Sequence, residues 1–396
     1  MIKEIAIKNF KSIVDLKLPL GKFNLFIGAN GSGKSNILEA IAFGAAASSD
    51  KLDFEYFANR GIRVVEPRFM LPAFSEVESD RVFVSLTDEQ NDTAAYSIHY
   101  NQEAKPARWE DDSIDIIQFL RYLNSKEVQG NKNKMKKNDM LDLLKKMQED
   151  KGGDVPVNIS IMESMDKGLV FMPININIGI YRFLIYSLEE SKLRKADDSN
   201  KTYPLGLHGE GLFAYLKQIA KRPDGLLIFN EIKENLKVLD WFDDMSLPTE
   251  QLSNEFNIQL KDSYLSETIN TFDQRSTNEG FLYLLFYLTL IVSDETPPFF
   301  AIENIDTAFN PKLCREVTRR LIELARKHDK QIIATTHNAS VLDGLNLKEE
   351  DVCLDVVRRN VDGYTKVSQV KLKNELGMPL SEAWQKGFIG GLPDNF

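Results

Sequence analysis

The stretch that decides the fold is "GANGSGKSNILEAIAF", residues 28–43. It fits the pattern G-x-x-x-x-G-K-[ST] and follows the apolar run "FNLFIG", residues 23–28, which predicts a buried strand. The order is therefore strand, glycine-rich turn and helix. Glycines allow backbone N–H groups to point inward around a phosphate, and the helix N-terminus presents its positive end to the same anion. The sequence predicts a phosphate-binding loop.

Each polar side chain of this loop has an expected partner in a bound nucleotide. Lys34 would reach the β- and γ-phosphates, and the hydroxyl of Ser35 would ligate Mg²⁺. We therefore expect ATP and Mg²⁺ as ligands. The predicted nucleotide-binding residues of the loop are Asn30, Gly31, Ser32, Gly33, Lys34 and Ser35.

Charge and cysteine content restrict the class of protein. The 396 residues carry a net charge of −10, whereas a dedicated duplex-DNA binder usually has a basic surplus that neutralises phosphates. Any contact with nucleic acid must then be local. Cys314 and Cys353 are too few and too far apart to predict a disulfide framework or a thiolate metal site, which fits a reducing compartment.

Neither end-of-chain signals nor apolar runs predict a membrane protein. The start "MIKEIAIKNFKSI" lacks the continuous apolar core of a signal peptide. The most apolar run, "FLYLLFYLTLIV" at residues 281–292, is shorter than the roughly 20 residues that a bilayer span needs, and we interpret it as a buried helix. The expected location is the cytoplasm, with no membrane contact.

Periodicity along the chain predicts an α/β fold with additions. After residue 280 a helix, the strand "PPFFAIEN", a helix and the strand "KQIIATTH" alternate, which is typical of a parallel sheet. Residues 81–100 predict an antiparallel pair beside it. The segment "ININIGIYRFLIYSL" has the pattern of a strand, and "EESKLRKADDSNK" is interpreted as a charged surface loop.

Four regions follow from these patterns. Residues 1–105 would form an N-terminal lobe with the phosphate loop and antiparallel strands, and residues 106–165 a lysine-rich helical insertion. Residues 166–270 would form a central α/β and helical region, and residues 271–396 a C-terminal lobe. The predicted fold class is α/β, a P-loop NTPase.

Several motifs together resemble the ABC-type ATPases of the SMC, RecF and OLD group. "NFKSIVDLKLPLGKFNLFIGANGSGKSNILEAI" is similar to the N-terminus of that group, "QRSTNEGFLYLLFYLTL" to its signature helix, and "IENIDTAFNP" to its Walker B segment and D-loop. "IIATTHNASVLDGL" resembles the switch segment. The resemblance covers about 35 residues at the front and 120 at the back, and it implies an ABC-ATPase-like head with an antiparallel β subdomain and a helical insertion.

Within this group the chain resembles the compact bacterial ATPases classed as AAA-21. These proteins lack the long coiled coil, and their C-termini are often similar to "LSEAWQKGFIGGLPDNF". The resemblance implies a switch that acts on a protein effector encoded nearby, such as a nuclease, in anti-phage or abortive-infection systems.

The signature segment departs from the usual Ser-Gly-Gly. The comparable positions are Asn278, Glu279 and Gly280, where Asn278 is suited to capping a helix whose N-terminus attracts an anion. In the family this helix binds the γ-phosphate held by the opposite subunit, which implies a two-fold homodimer around two ATP molecules. The alternative is that "STNEG" is only a capped helix start.

The Walker B pair also departs from its usual Asp-Glu. Glu303 can still serve Mg²⁺ through a carboxylate oxygen, but Asn304 can orient a water and cannot accept its proton. Because positioned acid–base groups contribute about 10²- to 10⁴-fold in rate, we expect slow hydrolysis. Asp306 would either supply a second carboxylate from the D-loop or only cap the turn into "TAFNP". The resemblance adds His337 to Glu303, Asn304 and Asp306 as a fourth catalytic candidate. His337 would hold the attacking water.

Other functions remain open or are disfavoured. Direct DNA binding, as in recombination-repair relatives, would use residues 126–151, whose lysines could equally form a solvated helix face; they are Lys132, Lys134, Lys136, Lys137, Lys145 and Lys146. A transport ATPase is disfavoured by the RecF-like N-terminus, and no acidic cluster after His337 indicates a nuclease. No glutamine could be assigned to the Q-loop.

Overall fold

The architecture is taken from a computed structural model of the chain. It describes every residue except 75–76, 78, 115–136, 151–155, 165–167, 174–179, 196–203, 248–257, 267–270, 372–376 and 393–396.

A central sheet of six strands has the order β16-β15-β3-β14-β13-β9. Five of its strands run parallel, and β16 pairs antiparallel with β15 at one edge. The strands are β3 Phe23–Ile27, β9 Ile185–Tyr186, β13 Phe299–Ile302, β14 Gln331–Thr335, β15 Val352–Arg359 and β16 Thr365–Gln369. In β3, Phe26 faces one hydrophobic cluster while Phe23 and Leu25 face another, so this strand is buried on both sides, as a parallel strand between layers should be.

An antiparallel sheet of five strands covers one face, in the order β2-β1-β4-β5-β6. Its strands are β1 Ile2–Phe10, β2 Ile13–Pro19, β4 Arg81–Asp88, β5 Thr93–Asn101 and β6 Arg108–Asp111. Their alternating burial follows the alternation of apolar and polar residues in the sequence. The helix α1, Lys34–Ala47, lies between this sheet and the central one, and 12 of its 14 residues are buried.

Helices cover the opposite face of the central sheet. The helix α7, Glu279–Val292, has 13 buried residues, which confirms the interpretation of the most apolar run as a core helix. After α1 the helices are α2 Phe54–Ala58, α3 Lys137–Asp150, α4 Glu190–Leu193, α5 Leu212–Ala220, α6 Gly225–Leu236, α7 Glu279–Val292, α8 Pro311–Lys327 and α9 Leu380–Gln385. Short 3₁₀ turns occur at Pro67–Phe69, Ile180–Arg182 and Ala339–Gly344. No helix in the described ranges is both long and apolar enough to cross a bilayer.

Two smaller sheets complete the fold. The strands β10 Phe242–Ser246, β11 Gln259–Asp262 and β12 Thr271–Asp273 form one, and β7 Ile159–Ser164 pairs with β8 Gly168–Pro173 in the other. The central sheet and the antiparallel sheet confirm the predicted α/β fold class. Both cysteines are buried and free.

Two local predictions were wrong. Over the described residues 180–188 the expected strand is limited to Ile185–Tyr186, because a 3₁₀ turn precedes it and the N–H of Ser187 bonds the carbonyl of Leu207; residues 174–179 lie outside the described residues. The loop expected from residue 189 contains α4, because Leu193 is fully buried in the helical core. Residues 196–201 of the expected loop also lie outside the described residues.

Candidate functional site

The phosphate loop lies between the end of β3 and the start of α1, as the sequence predicted. Gly33 precedes the helix with a φ of 110°, which favours glycine, and a Cβ at this position would lie 2.1 Å from Thr365 Oγ1. Thr365 itself donates to the carbonyl of Ser32 at 3.1 Å. The first residue of β16 therefore supports the loop from outside, which no sequence motif indicated.

Lys34 is folded back across the loop. Its Nζ donates to the carbonyl oxygens of Gly28, at 2.8 Å, and Ala29, at 3.1 Å. Burial lowers the pKa of Lys34 to about 8, while the charge of Glu303 acts in the opposite direction. Because the ammonium is held among carbonyl oxygens near the loop's own backbone, it is positioned to exchange these acceptors for phosphate oxygens.

The loop also contains a buried hydroxyl, that of Ser32, which has no hydrogen-bond partner among the described residues. Ser32 is 3% exposed, and no described residue hydrogen-bonds to its Oγ. A Cβ placed on Gly31 would have no described atom within 4 Å, so open space adjoins the backbone there. A buried hydroxyl beside open space is suited to donate a hydrogen bond to an oxygen of a bound triphosphate.

The residues expected to hold Mg²⁺ meet across the sheet. Ser35 Oγ donates to Glu303 Oε1 at 2.5 Å, which brings the start of α1 to the end of β13. Among the described residues, no group of three or more His, Cys, Asp or Glu side chains forms a metal cluster. A site with one hydroxyl and one carboxylate suits Mg²⁺, which keeps water and phosphate oxygens as its remaining ligands. When bound, the ion would neutralise phosphate charge.

Asn304 has a left-handed backbone, with a φ of 51°. Its N–H donates to Thr335 Oγ1 at 3.0 Å, and the next N–H, of Ile305, donates to the carbonyl of Thr335. Asparagine tolerates this conformation better than most residues. Asparagine thus suits the backbone conformation of this turn. It also places an amide, and not a carboxylate, next to Glu303 in the chain.

Asp306 joins the D-loop, residues 305–310, to the switch segment, residues 336–344. Its Oδ1 accepts from Thr336 Oγ1 at 2.6 Å, so the contact made by the side chain is with the residue before His337 and not with the turn into "TAFNP". His337 is exposed at the end of β14. Partial desolvation of the ring and the charge of Lys34 lower the pKa of His337, while the charge of Asp306 acts in the opposite direction. Lys34, Asp306 and His337 therefore share one electrostatic neighbourhood.

The signature residues occupy a different place. Asn278 caps α7, with its Oδ1 accepting from the N–H of Phe281 at 2.9 Å, as expected for a cap. A Cβ at Gly280 would lie 3.0 Å from the carbonyl of Ala308 in the D-loop. Asn278, Glu279 and Gly280 line a groove of about 1090 Å³ with α8 and the D-loop, and no phosphate-loop residue lines it. Within the chain the two halves of the expected site are separate.

The structure adds residues that the sequence analysis missed. Arg63 Nε bonds to Glu39 Oε1 at 2.5 Å. Burial lowers the pKa of Arg63, but the Glu39 pair and the charge of Glu303 give a net rise. Asn36, directly after Ser35, donates to Ser12 Oγ at 2.6 Å. The sequence signal was the "NFKS" segment, since Lys11 pairs with the same Glu39.

The strand next to the one that precedes Glu303 is not followed by a glutamine. In the central sheet β9 is the neighbour of β13, and the N–H of Glu303 donates to the carbonyl of Tyr186 at 2.8 Å. The chain leaves this strand at Ser187, whose carbonyl contacts His208 Nδ1 at 2.8 Å. The residue that follows β9 is thus a serine, and the Q-loop glutamine stays unassigned.

The lysine-rich insertion is described in part. Lys132, Lys134 and Lys136 lie outside the described residues, and the side chain of Lys137 is not described either. Lys145 and Lys146 are exposed on α3, and Lys145 lies 4.0 Å from Asp142. Residues 141–150 contain these two lysines and the three carboxylates of Asp142, Glu149 and Asp150, so this segment of α3 has no basic surplus.

The fold and the site together define a P-loop ATPase of the SMC, RecF and OLD group, with an ABC-type head. The chain belongs to the AAA_21 family, described as "AAA domain, putative AbiEii toxin, Type IV TA system", which matches residues 23–343. The family implies nucleotide binding and usually Mg²⁺.

Similar proteins agree with this class. The DNA replication and repair protein RecF of Glaesserella parasuis is 33% identical over 105 residues, 26% of this chain and 27% of RecF. The OLD nuclease of Thermus scotoductus is 46% identical over 41 residues, 10% of this chain and 8% of that protein. The matches therefore span about a quarter or less of these relatives. An SMC head bound to the C-winged helix domain of ScpA shares the fold, with a TM-score of 0.54, 15% identity and coverage of 95% of this chain and 99% of that one.

Proposed function

We propose that the protein is an ATP-binding, slowly hydrolysing homodimer that acts as a nucleotide-dependent switch for a partner protein. The observation that carries the proposal is the hydrogen bond between Ser35 and Glu303 beside Asn304. It supports a magnesium nucleotide site that has its metal-ligating residues and lacks the usual carboxylate next to them.

Dimerisation is supported by the separation of the two half-sites. The capped N-terminus of α7 offers backbone N–H groups and a helix dipole to an anion, but it faces a groove without phosphate-loop residues. A second copy of the chain would bring its nucleotide to this helix and receive one in return. Each ATP would then join the two subunits, and its hydrolysis would release them.

Slow hydrolysis follows from the chemistry at residue 304. Phosphoryl transfer depends mainly on positioning and charge neutralisation, to which Lys34, Ser35 and Glu303 would contribute. His337, beside Lys34, would hold the attacking water, and its lowered pKa leaves the ring neutral and able to accept a hydrogen bond at pH 7. Since Asn304 supplies no base, turnover would be reduced but not abolished.

A protein partner and a role in bacterial anti-phage defence form the wider part of the proposal. The family description names a toxin and a type IV toxin–antitoxin system, which supports a role in such systems with an effector encoded nearby, possible effectors including a nuclease. The SMC head of similar fold is bound to a domain of ScpA, which is a precedent for a head that carries a protein.

The second candidate function is DNA binding in repair or in the sensing of DNA ends. The similarity to RecF favours it. The charge of the described part of the insertion does not favour DNA binding, because α3 carries more carboxylates than lysines over residues 141–150. The net charge of −10 also disfavours DNA binding.

Complementation between two inactive variants tests the composite site. Lys34→Ala removes the phosphate contact and Gly280→Asp places a charge at the signature helix, so each homodimer should be inactive. In a mixture, a mixed dimer has one intact site, and we expect about a quarter of the unmodified ATPase activity if subunits pair at random. Sizing with ATP and Mg²⁺ should show a dimer for the unmodified chain. No recovery of activity, with both variants folded, would contradict a site shared between subunits.

A further inference from the structure

The C-terminal segment returns to the phosphate loop. After α9 the chain makes a strap, residues 387–392, that turns through Gly390 and Gly391, with φ values of 83° and 82°. A Cβ placed on Gly391 would lie 3.4 Å from Gly28 Cα and 2.8 Å from Val356 Cγ1. The strap therefore lies against the first glycine of the phosphate loop, where an added Cβ would touch Gly28 and overlap the side chain of Val356 in β15.

Gly28 is held from two directions. A Cβ on Gly28 would lie 2.1 Å from the carbonyl of Val357 in β15, and the strap adjoins it at Gly391. The carbonyl of Gly28 is also an acceptor for Lys34 Nζ. Because closely packed backbones cannot shift independently, the position of the strap constrains the carbonyl that orients Lys34.

The strap is anchored to the switch segment. In α9, Ser381 bonds to the carboxylate of Asp343 through its N–H, at 3.0 Å, and through its hydroxyl, at 2.7 Å. Trp384 is buried, and Ile389 packs against the main core. Phe388, in contrast, is 66% exposed, so the strap lies at the surface with an anchored base. It links the segment that follows His337 to Gly28.

We propose that Gly391 is a positioning residue for nucleotide binding: the strap holds Gly28 in the conformation that binds phosphate. This inference rests on the proposed nucleotide site. Moving Gly28 would shift the backbone at the start of the phosphate loop, whose N–H groups surround the phosphate, and weaken nucleotide binding. By reciprocity, a bound nucleotide stabilises the strap.

The chain offers a matched pair of glycines for the test. Gly391→Ala and Gly390→Ala impose the same left-handed backbone on alanine, but a Cβ at Gly390 meets no atom of the described residues within 4 Å. The dissociation constant of ATPγS with Mg²⁺ is measured for the full chain and for both variants. We expect about tenfold weaker binding for Gly391→Ala and an unchanged value for Gly390→Ala. Equal constants for the two variants would overturn the inference.

Further measurements separate the possible failures. If the unmodified chain binds no nucleotide, or Lys34→Ala binds as well as it does, the proposed function fails. If the unmodified chain binds and both glycine variants bind equally, only the strap inference fails. A purely structural turn would lower the thermal stability of both variants without changing the affinity.

Hydrogen exchange on the unmodified protein decides the matter should Gly391→Ala not fold. Slower exchange over residues 387–392 on addition of ATPγS and Mg²⁺ would support the coupling. Unchanged exchange in that segment, with nucleotide bound, would overturn it.

Discussion

Ser35 Oγ and Glu303 Oε1 are 2.5 Å apart, although 268 positions separate the two residues in the chain. The contact places the start of the helix that follows the phosphate loop beside the turn that carries Asn304, at the end of β13. The chemistry of residue 304 can be tested by substitution, because the two residues proposed to hold Mg²⁺ lie next to it.

Replacing Asn304 with glutamate should accelerate hydrolysis. A carboxylate can accept the proton of the attacking water, and we expect an increase of about 10²-fold in the single-turnover rate. Asn304→Gln is the matched control, since it has the length of glutamate, the same left-handed backbone to satisfy and no charge. Equal rates for the two variants would remove the missing acid from the explanation.

Nucleotide affinity should depend on pH through Lys34. Its pKa in the nucleotide-free protein is lowered to about 8 by burial, and phosphate binding favours the charged form. Binding should therefore weaken between pH 8 and 9.5, by up to about tenfold per pH unit, in a range where phosphate groups are already ionised. Titration calorimetry measures this. Lys34→Arg keeps its charge throughout and should give a flat profile, so identical slopes would contradict the assignment of Lys34.

Asp355 should make stability fall as pH rises. It is fully buried in β15, has no hydrogen-bond partner within the described part of the chain, and burial raises its pKa to about 7. Between about pH 4 and 7 the folded state holds a proton that the unfolded state releases, so stability decreases with pH across that window. As pH rises to 8, the free energy of unfolding of Asp355→Asn should increase relative to that of the unmodified protein, by about 4 kcal/mol at most.

Asp351 provides the control for this titration. Its pairing with Arg326 lowers its pKa, so it is ionised in both states above pH 5. Asp351→Asn should cost a constant amount of stability from pH 5 to 8 in denaturant unfolding. Parallel stability curves for Asp355→Asn and the unmodified chain would show that Asp355 does not titrate in this way.

Duplex DNA should bind weakly, if at all. The exposed Lys145 and Lys146 are accompanied by three carboxylates on the same segment of α3. We expect no retained complex at about 150 mM salt, and any binding at low salt should fall steeply as salt is added. Tight binding that Lys145→Glu with Lys146→Glu abolishes, while the exposed Lys237→Glu does not, would favour the repair-like alternative.

The sequence by itself determined the parallel core and the phosphate loop. Residues 23–43 specify strand, turn and helix through local rules, namely an apolar run, glycines at fixed spacing and a helix after Lys34. The cap at Asn278 was equally local, since its side chain bonds a residue three positions away. Such features depend on neighbours in the chain and need no knowledge of distant contacts.

Only the tertiary structure decided how distant segments complete the site. Thr365 behind Gly33, Ser187 beside the Walker B strand and Gly391 against Gly28 leave no sequence pattern, because each contact is set by the order of strands in the sheet and by backbone packing. The left-handed backbone of Asn304 was hidden for the same reason, since its N–H and that of Ile305 are fixed by Thr335 on the neighbouring strand. Local spacing specifies which groups a site contains, and long-range packing specifies where they meet.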